Sequence, residues 1–345
     1  MSSGNKLKGG LIGCGFFAQN HLQGWREVQG GEIATVCDLD SSKTDRAITE
    51  FDSIVSAYSS HEEMFEKEKL DFVDIVTTMD SHRELVECAA RHSVPVIVQK
   101  PFAPTMIDAE AMVRACDEAR VPLMVHENFR WQTPLKKVGD IVRSGDIGEP
   151  FFSRVSFRHG NPVGYENQPY LFEQDEYIIN DVGIHLFDLA RFYMGDVTSI
   201  YTQAQRVNKR FKGEDVATML LRHANNATSI VDLSVSTQNT PDPFPQTLVR
   251  VEATRGTVTL NQDYQLIVCH NGETEIIDAS PVIYHWAEQP WAIVQESVVN
   301  IQQHWIDCLN HGQAPATSGA DNLKSLELTF LAYQSAKDEM AVQTP

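Results

Sequence analysis

Three groups of residues have the types and spacing to do chemistry. Leu11-Ile12-Gly13-Cys14-Gly15-Phe16-Phe17-Ala18 reads GxGxxA, directly after a strand-like run and ahead of a helical one. In that setting Gly13 allows a tight turn, Gly15 lets the backbone approach a pyrophosphate, and Ala18 keeps the helix close to the sheet. The next strand-like run, 33–37, ends in Asp38, twenty residues beyond Ala18. A carboxylate there accepts both ribose hydroxyls of adenosine and repels a 2′-phosphate, and Asp40 adds to the repulsion. The pattern predicts a dinucleotide site that prefers NAD to NADP.

The second group is Gln99-Lys100-Pro101, at the end of the apolar run 94–98. Ligands of open parallel sheets bind at that strand edge. Proline keeps the residue before it out of the α region, so Lys100 is expected to be extended. A lysine there can lower the pKa of a reacting hydroxyl or relay its proton. The third group is Asn180-Asp181-Val182-Gly183-Ile184-His185-Leu186-Phe187-Asp188. It reads as a helix start capped by Asn180 or Asp181. Spacings of four and three put Asp181, His185 and Asp188 on one helical face. A carboxylate beside an imidazole holds its tautomer and stabilises the imidazolium, which suits a general base. No second His/Cys/Asp cluster of matching spacing accompanies it, so no metal is expected.

These residues need elements to carry them. In the first 126 residues, apolar β-branched runs at 11–12, 33–37, 72–77, 94–98 and 123–125 alternate with helical spacing at 81–92 and 105–120. Alternation of that kind predicts βαβ units and a parallel sheet. Ser60 ahead of Glu62-Glu63 and Thr105 ahead of Asp108 read as helix caps. After about residue 130 the texture changes. A helical segment, 134–144, leads to strand-like runs at 151–158, 198–206, 217–223, 228–236, 247–253, 257–260 and 265–269. Asn225-Asn226, Arg255-Gly256 and Asn271-Gly272 punctuate them as turns. Helical runs are expected at 181–194, 291–310 and 321–337. The fold class is therefore α/β: a doubly wound parallel sheet over 1–129, then an α+β domain over 130–345 with a large, mainly antiparallel sheet.

Composition sets the outer limits. The 345 residues carry 28 Lys+Arg against 47 Asp+Glu, a net charge of −19. Such acidity argues against nucleic acid, which is bound by neutralising phosphates, and against an anionic membrane surface. No apolar run approaches the roughly 18 residues of a membrane span. The six cysteines form no CxxC pair and read as small buried hydrophobes in a reducing compartment. The opening Met-Ser-Ser-Gly-Asn-Lys has no apolar core, which predicts no secretory signal and a cytoplasmic location.

Taken in order, these motifs resemble the glucose-fructose oxidoreductase/inositol dehydrogenase/MocA family. The resemblance rests on residues 13–18, Asp38, Thr77-Thr78-Met79-Asp80-Ser81-His82, Lys100-Pro101, the segment 181–188 and Ala316-Thr317-Ser318-Gly319-Ala320-Asp321. It implies a Rossmann domain followed by a domain whose open-faced sheet often mediates homodimer or homotetramer contacts. It implies NAD contacts at Gly13, Gly15, Phe16, Phe17, Ala18, Asp38, Thr77, Thr78, His82, Gln99 and Lys100. It also implies that Lys100, Asp181 and His185 converge beside the nicotinamide, with Asp188 close behind, to oxidise a carbinol of a cyclic sugar. Asn128, Arg158, His159 and Tyr170 are further candidates for sugar hydroxyls. Two departures stand out: Gln99 replaces the family's usual Glu, and Tyr177-Ile178-Ile179-Asn180 replaces a glycine-rich stretch. The first removes a charge near the nicotinamide ribose, and the second implies a narrower pocket. The same resemblance includes inositol dehydrogenases, glycosidases that retain NAD, and a non-catalytic sensor.

Overall fold

Strands buried on both faces belong inside a parallel sheet, and the first third of the chain builds one. The computed structural model describes residues 6–160 and 168–345, so the opening residues 1–5 lie outside it. Strands β1 (Leu7–Ile12), β2 (Gly31–Cys37), β3 (Ser56–Tyr58), β4 (Phe72–Ile75), β5 (Val96–Gln99) and β6 (Leu123–His126) pair in the order β3-β2-β1-β4-β5-β6. All pairs are parallel. The order reverses between β1 and β4, the switch point where such sheets bind ligands. Helices α1 (Ala18–Glu27), α2 (Ser41–Glu50), α3 (His61–Lys67), α4 (His82–Arg91) and α5 (Met106–Ala119) make the crossovers. Both expected caps form: Ser60 accepts from the Glu63 N–H and Thr105 from the Asp108 N–H.

The second sheet has nine strands: β7 (Pro150–Arg158), β8 (Val197–Gln205), β9 (Val216–His223), β10 (Thr228–Ser234), β11 (Leu248–Ala253), β12 (Gly256–Leu260), β13 (Gln265–His270), β14 (Glu273–Asp278) and β15 (Val342–Gln343). Their order is β14-β13-β12-β11-β7-β10-β9-β8-β15, antiparallel except for the β7–β10 pair. Period-two alternation decides the faces: Ala217, Met219 and Leu221 of β9 are buried, while Thr218, Leu220 and Arg222 are exposed. Helices α6 (Thr133–Ser144) and α7 (Ile184–Met194) supply much of the buried layer, with Leu135, Val138, Leu186, Phe187 and Leu189 in one cluster with strand residues. Helices α8 (Ala292–His311) and α9 (Gly319–Asp338) close the chain.

Backbone proximity divides the chain into two compact units, Met1–Glu127 with Val298–Leu323, and Asn128–Ser297 with Lys324–Pro345. The sequence reading places all of 130–345 in the second domain, whereas Val298–Leu323 belongs to the first. Side chains of α8 and the segment after it explain the return. Gln302 donates to the His21 carbonyl at 3.1 Å, and the Thr317 hydroxyl and carbonyl bracket Val125, both at 2.8 Å. Three short strands were not expected. Ser56–Tyr58 and Val342–Gln343 are too short to show a pattern, and Glu273–Asp278 is an edge strand with little burial. No helix among the described residues is long and apolar enough to cross a membrane.

Candidate active site

In the first unit, the turn after β1 has the shape its glycines predict. Gly13 holds φ at +93°, and a Cβ there would sit 2.7 Å from the Val76 carbonyl oxygen. At Gly15 a Cβ would meet nothing within 4 Å, which leaves open space over the backbone for a pyrophosphate. Helix α1 starts behind it with no side-chain cap and no acid in its first turn, so its positive end remains available to an anion. Ala18 is fully buried against the sheet, while Phe16 is 69% exposed at the rim. Phe17 packs edge-on against His21.

Asp38 is held from two sides. Its Oδ2 accepts from the Cys14 N–H at 2.7 Å and its Oδ1 from the Asp40 N–H at 2.9 Å. The carboxylate is thus tied to the glycine turn and oriented, with lone pairs left for ribose hydroxyls. Asp40 caps α2 through Ser42, which lowers its own carboxyl pKa. Lys43 lies 3.7 Å from Asp38. Burial, followed by Asp38, pushes the Cys14 thiol up to about 12, so this cysteine serves as packing and not as a nucleophile. Five of the six cysteines are buried, and Cys269 is half-buried. These features fit NAD. Replacing Asp38 with Ser removes charge-assisted hydrogen bonds to the ribose and unmasks Lys43. The expected result is a fall of about 10- to 100-fold in kcat/KM for NAD with a gain for NADP, read from both cofactors side by side.

The remaining cofactor candidates divide. Thr77 and Thr78 form the turn before α4, closed by Ser81, whose hydroxyl donates to the Thr78 carbonyl at 2.9 Å and lies 2.7 Å from the Thr77 hydroxyl. His82 opens α4 beneath that turn. It is fully buried, with Nδ1 3.0 Å from the Phe102 carbonyl and Nε2 3.2 Å from the Thr77 carbonyl. Burial depresses its pKa, and the one N–H of the neutral ring donates to one of these two carbonyls. Gln99 also turns inward: its amide meets His21 and the Lys100 N–H. Lys100 follows at the strand end, half-buried.

In the second unit, His185 is 3% exposed on α7 and lies flat on Phe129, with ring centroids 3.9 Å apart and planes within 2°. Asp181 is half-buried one turn earlier. The expected cap at Asn180 or Asp181 does not form, because Ile179–Gly183 already winds as a wide π turn. The Asp181 N–H donates to the Tyr177 carbonyl at 2.8 Å, inside the helical ladder. The first N–H groups are taken by Glu214, which accepts from Tyr177 at 3.2 Å and Ile179 at 3.1 Å. Tyr333 donates to Glu214 at 2.8 Å and accepts from the Asn180 N–H at 3.1 Å. A carboxylate from another part of the chain thus stabilises the positive end of the site helix. Asp188, fully buried, pairs with Arg130 through both oxygens: Nε donates to Oδ2 at 2.7 Å and Nη2 to Oδ1.

The sugar candidates also separate. His159 is buried edge-on between Phe157 and Phe244, each at 4.6 Å, and Phe244 meets Trp291 at 4.9 Å. Burial pushes its pKa down to about 4, so this ring is neutral near pH 7. Arg158 points to the opposite face of β7 from Phe157 and His159, towards Asp232 at 3.7 Å, as strand alternation requires. Asn128 is buried and donates to the Ser297 hydroxyl at 2.7 Å, an internal tie. Tyr170 is 57% exposed and donates to Gln168 at 2.9 Å. Residues 161–167, between His159 and Tyr170, lie outside the described residues. Phe129, Arg130 and Glu214 carry no local motif. Their spacing from α7 in the chain hides the role that packing gives them. Among the described residues, no group of three or more His, Cys, Asp or Glu is placed to hold a metal ion.

Comparison with known proteins agrees with this geometry. Residues 7–127 match the oxidoreductase family model for an NAD-binding Rossmann fold, and residues 135–259 match the GFO/IDH/MocA C-terminal domain. A D-apiose dehydrogenase of Rhizobium rhizogenes is 51% identical over 98% of this chain and 97% of its own length. A D-apiose dehydrogenase of Paraburkholderia graminis is 49% identical over 98% of this chain and 90% of its own. A crystal structure of an oxidoreductase from Agrobacterium radiobacter, in complex with NAD+, L-tartaric acid and magnesium, superposes with a TM-score of 0.95. It shares 50% identity, and 98% of each chain is covered. With both domain models matched in order and half its residues shared with full-length relatives, the chain belongs to the GFO/IDH/MocA family of NAD-binding oxidoreductases.

Proposed function

We propose that the protein oxidises the anomeric carbinol of D-apiose to D-apionolactone with NAD. The observation that carries the substrate is the 51% identity, over 98% of this chain, with a D-apiose dehydrogenase. The chemistry supplied by bound NAD is acceptance of the hydride from the carbinol carbon. In this reading His185 takes the hydroxyl proton as the C–O bond becomes a carbonyl. Asp181 stabilises the resulting imidazolium, and Lys100 polarises the reacting oxygen. The flat stack on Phe129 supports the role of His185, because it fixes the plane of the ring. Gly13, Gly15, Phe16, Phe17, Ala18, Asp38, Thr77 and Thr78 hold the cofactor. Asn128, Arg158, His159 and Tyr170 are the residues offered to the sugar hydroxyls. The protein acts in the cytoplasm as a homodimer or homotetramer.

Absorbance of reduced nicotinamide tests the reading directly. D-apiose is expected to be turned over with NAD in preference to NADP, and ahead of other aldoses and of inositols. Turnover confined to inositols or other aldoses would overturn the substrate. Cleavage of an aryl glycoside without net NADH would overturn the reaction.

A further inference from the structure

The cofactor-binding unit contains a chain of buried polar groups to which the proposed chemistry gives no work. Asp74 on β4 and His21 on α1 are fully buried, and Gln99 at the end of β5 is 8% exposed. His21 Nδ1 lies 2.8 Å from Asp74 Oδ2, and Gln99 Nε2 lies 3.0 Å from His21 Nε2. The Lys100 N–H donates to Gln99 Oε1 at 2.6 Å. Trp25 Nε1–H donates to the same Asp74 oxygen at 2.8 Å.

One unambiguous donor orders the whole chain. A backbone N–H can only donate, so Gln99 must present its oxygen to Lys100 and its NH2 to His21. The NH2 can only donate in turn, so His21 Nε2 is an acceptor. The single ring hydrogen therefore sits on Nδ1, aimed at Asp74. We infer that Asp74, His21 and Gln99 form a relay of positioning residues that sets the Lys100 peptide, and through it the lysine side chain, and that the relay holds with a neutral His21 ring only while residue 99 is an amide. The inference rests on the reading that Lys100 polarises the substrate oxygen. The groups facing the His21 ring are Asp74 from β4, Gln99 from β5, His126 from β6 at 4.2 Å, and Phe17 just ahead of α1. Of these, Asp74 and His126 are the ionisable groups, and Gln302 of α8 donates to the His21 carbonyl.

The decisive variant is Gln99→Glu, which keeps the size and replaces the NH2 by an acceptor. Two acceptors then face each other across the former contact, and a proton must enter between them. Histidine 15N spectra read this without any substrate, and His21→Phe identifies the resonance by its loss. Wild-type His21 is expected to show a protonated Nδ1 and an unprotonated Nε2 in spectra recorded between about pH 6 and pH 9. Gln99→Glu is expected to show both nitrogens protonated at the low end and one at the high end. Its kcat, measured on whichever sugar the wild type oxidises, should fall about tenfold further than wild type across that interval. Gln99→Met, which removes both polar atoms, should lower kcat with no added ionisation. A protonated Nε2 in wild-type His21 would overturn the relay. So would wild-type kcat and pH profile in Gln99→Glu, or wild-type kcat in Gln99→Met. Should Gln99→Glu fail to fold, the wild-type spectrum and Gln99→Met decide the matter. Failure of D-apiose as substrate changes the functional reading and leaves the nitrogen spectrum intact.

Discussion

His185→Ala is expected to lower kcat about a thousandfold, while NAD binding, followed by quenching of tryptophan fluorescence, stays within about threefold of wild type. The loss falls on kcat because the imidazole accepts a proton that leaves the substrate only as the carbonyl forms. Cofactor affinity is spared because the groups assigned to NAD lie on the first unit, at the glycine turn and Asp38, and His185 lies on the second. Lys100→Met should cost about a hundredfold in kcat, since a polarising charge contributes to the same transition state without taking the proton itself. A single-turnover measurement with saturating NAD separates these effects from product release. Wild-type rates in both variants would remove the assignment of base and polariser together.

The first unit was legible because its chemistry is local. The glycine turn, the strand that follows and Asp38 occupy residues 11–38 without a break, and each position has a backbone reason to be what it is. The caps at Ser60 and Thr105 were readable for the same reason, as each acts within three residues of itself. What the sequence hid is non-local. His82 has the chemistry of a ligand, and only the fold brings the Phe102 and Thr77 carbonyls within reach of its ring. Glu214 caps the site helix across 35 residues or more, so Asn180 and Asp181, which look like caps, are not needed as such. Arg158 faces away from His159 by a parity that is plain in the strand pattern: its neighbours Phe157 and His159 are buried, and a residue between them must point to the other face. The return of Val298–Leu323 to the first unit depends on Gln302 and Thr317, whose partners lie almost two hundred residues away or more.

Arg130→Met is expected to destabilise the protein by about 3–5 kcal/mol, seen as a lower urea midpoint with an unchanged slope. The size follows from what remains. Asp188 has 0% side-chain exposure, so its carboxylate would stay buried without the guanidinium that binds both its oxygens. Methionine keeps part of the packing over Phe192, whose ring lies 5.0 Å from the Arg130 guanidinium carbon, which confines the loss mainly to charge. The double variant Arg130→Met with Asp188→Leu should recover much of that stability, because replacing both members of a buried pair by apolar groups removes the desolvation cost along with the attraction. Activity should separate from stability in this pair. Arg130 follows Phe129 in the short turn Phe129–Trp131, and Asp188 lies three residues beyond His185 on the same helix. The ion pair therefore fastens the turn that carries Phe129 to the helix that carries His185, and so maintains the stack between their rings. A double variant that regains its urea midpoint but keeps a reduced kcat would show that the charge pair is retained for aligning the base, whereas full recovery of both would assign it to stability alone.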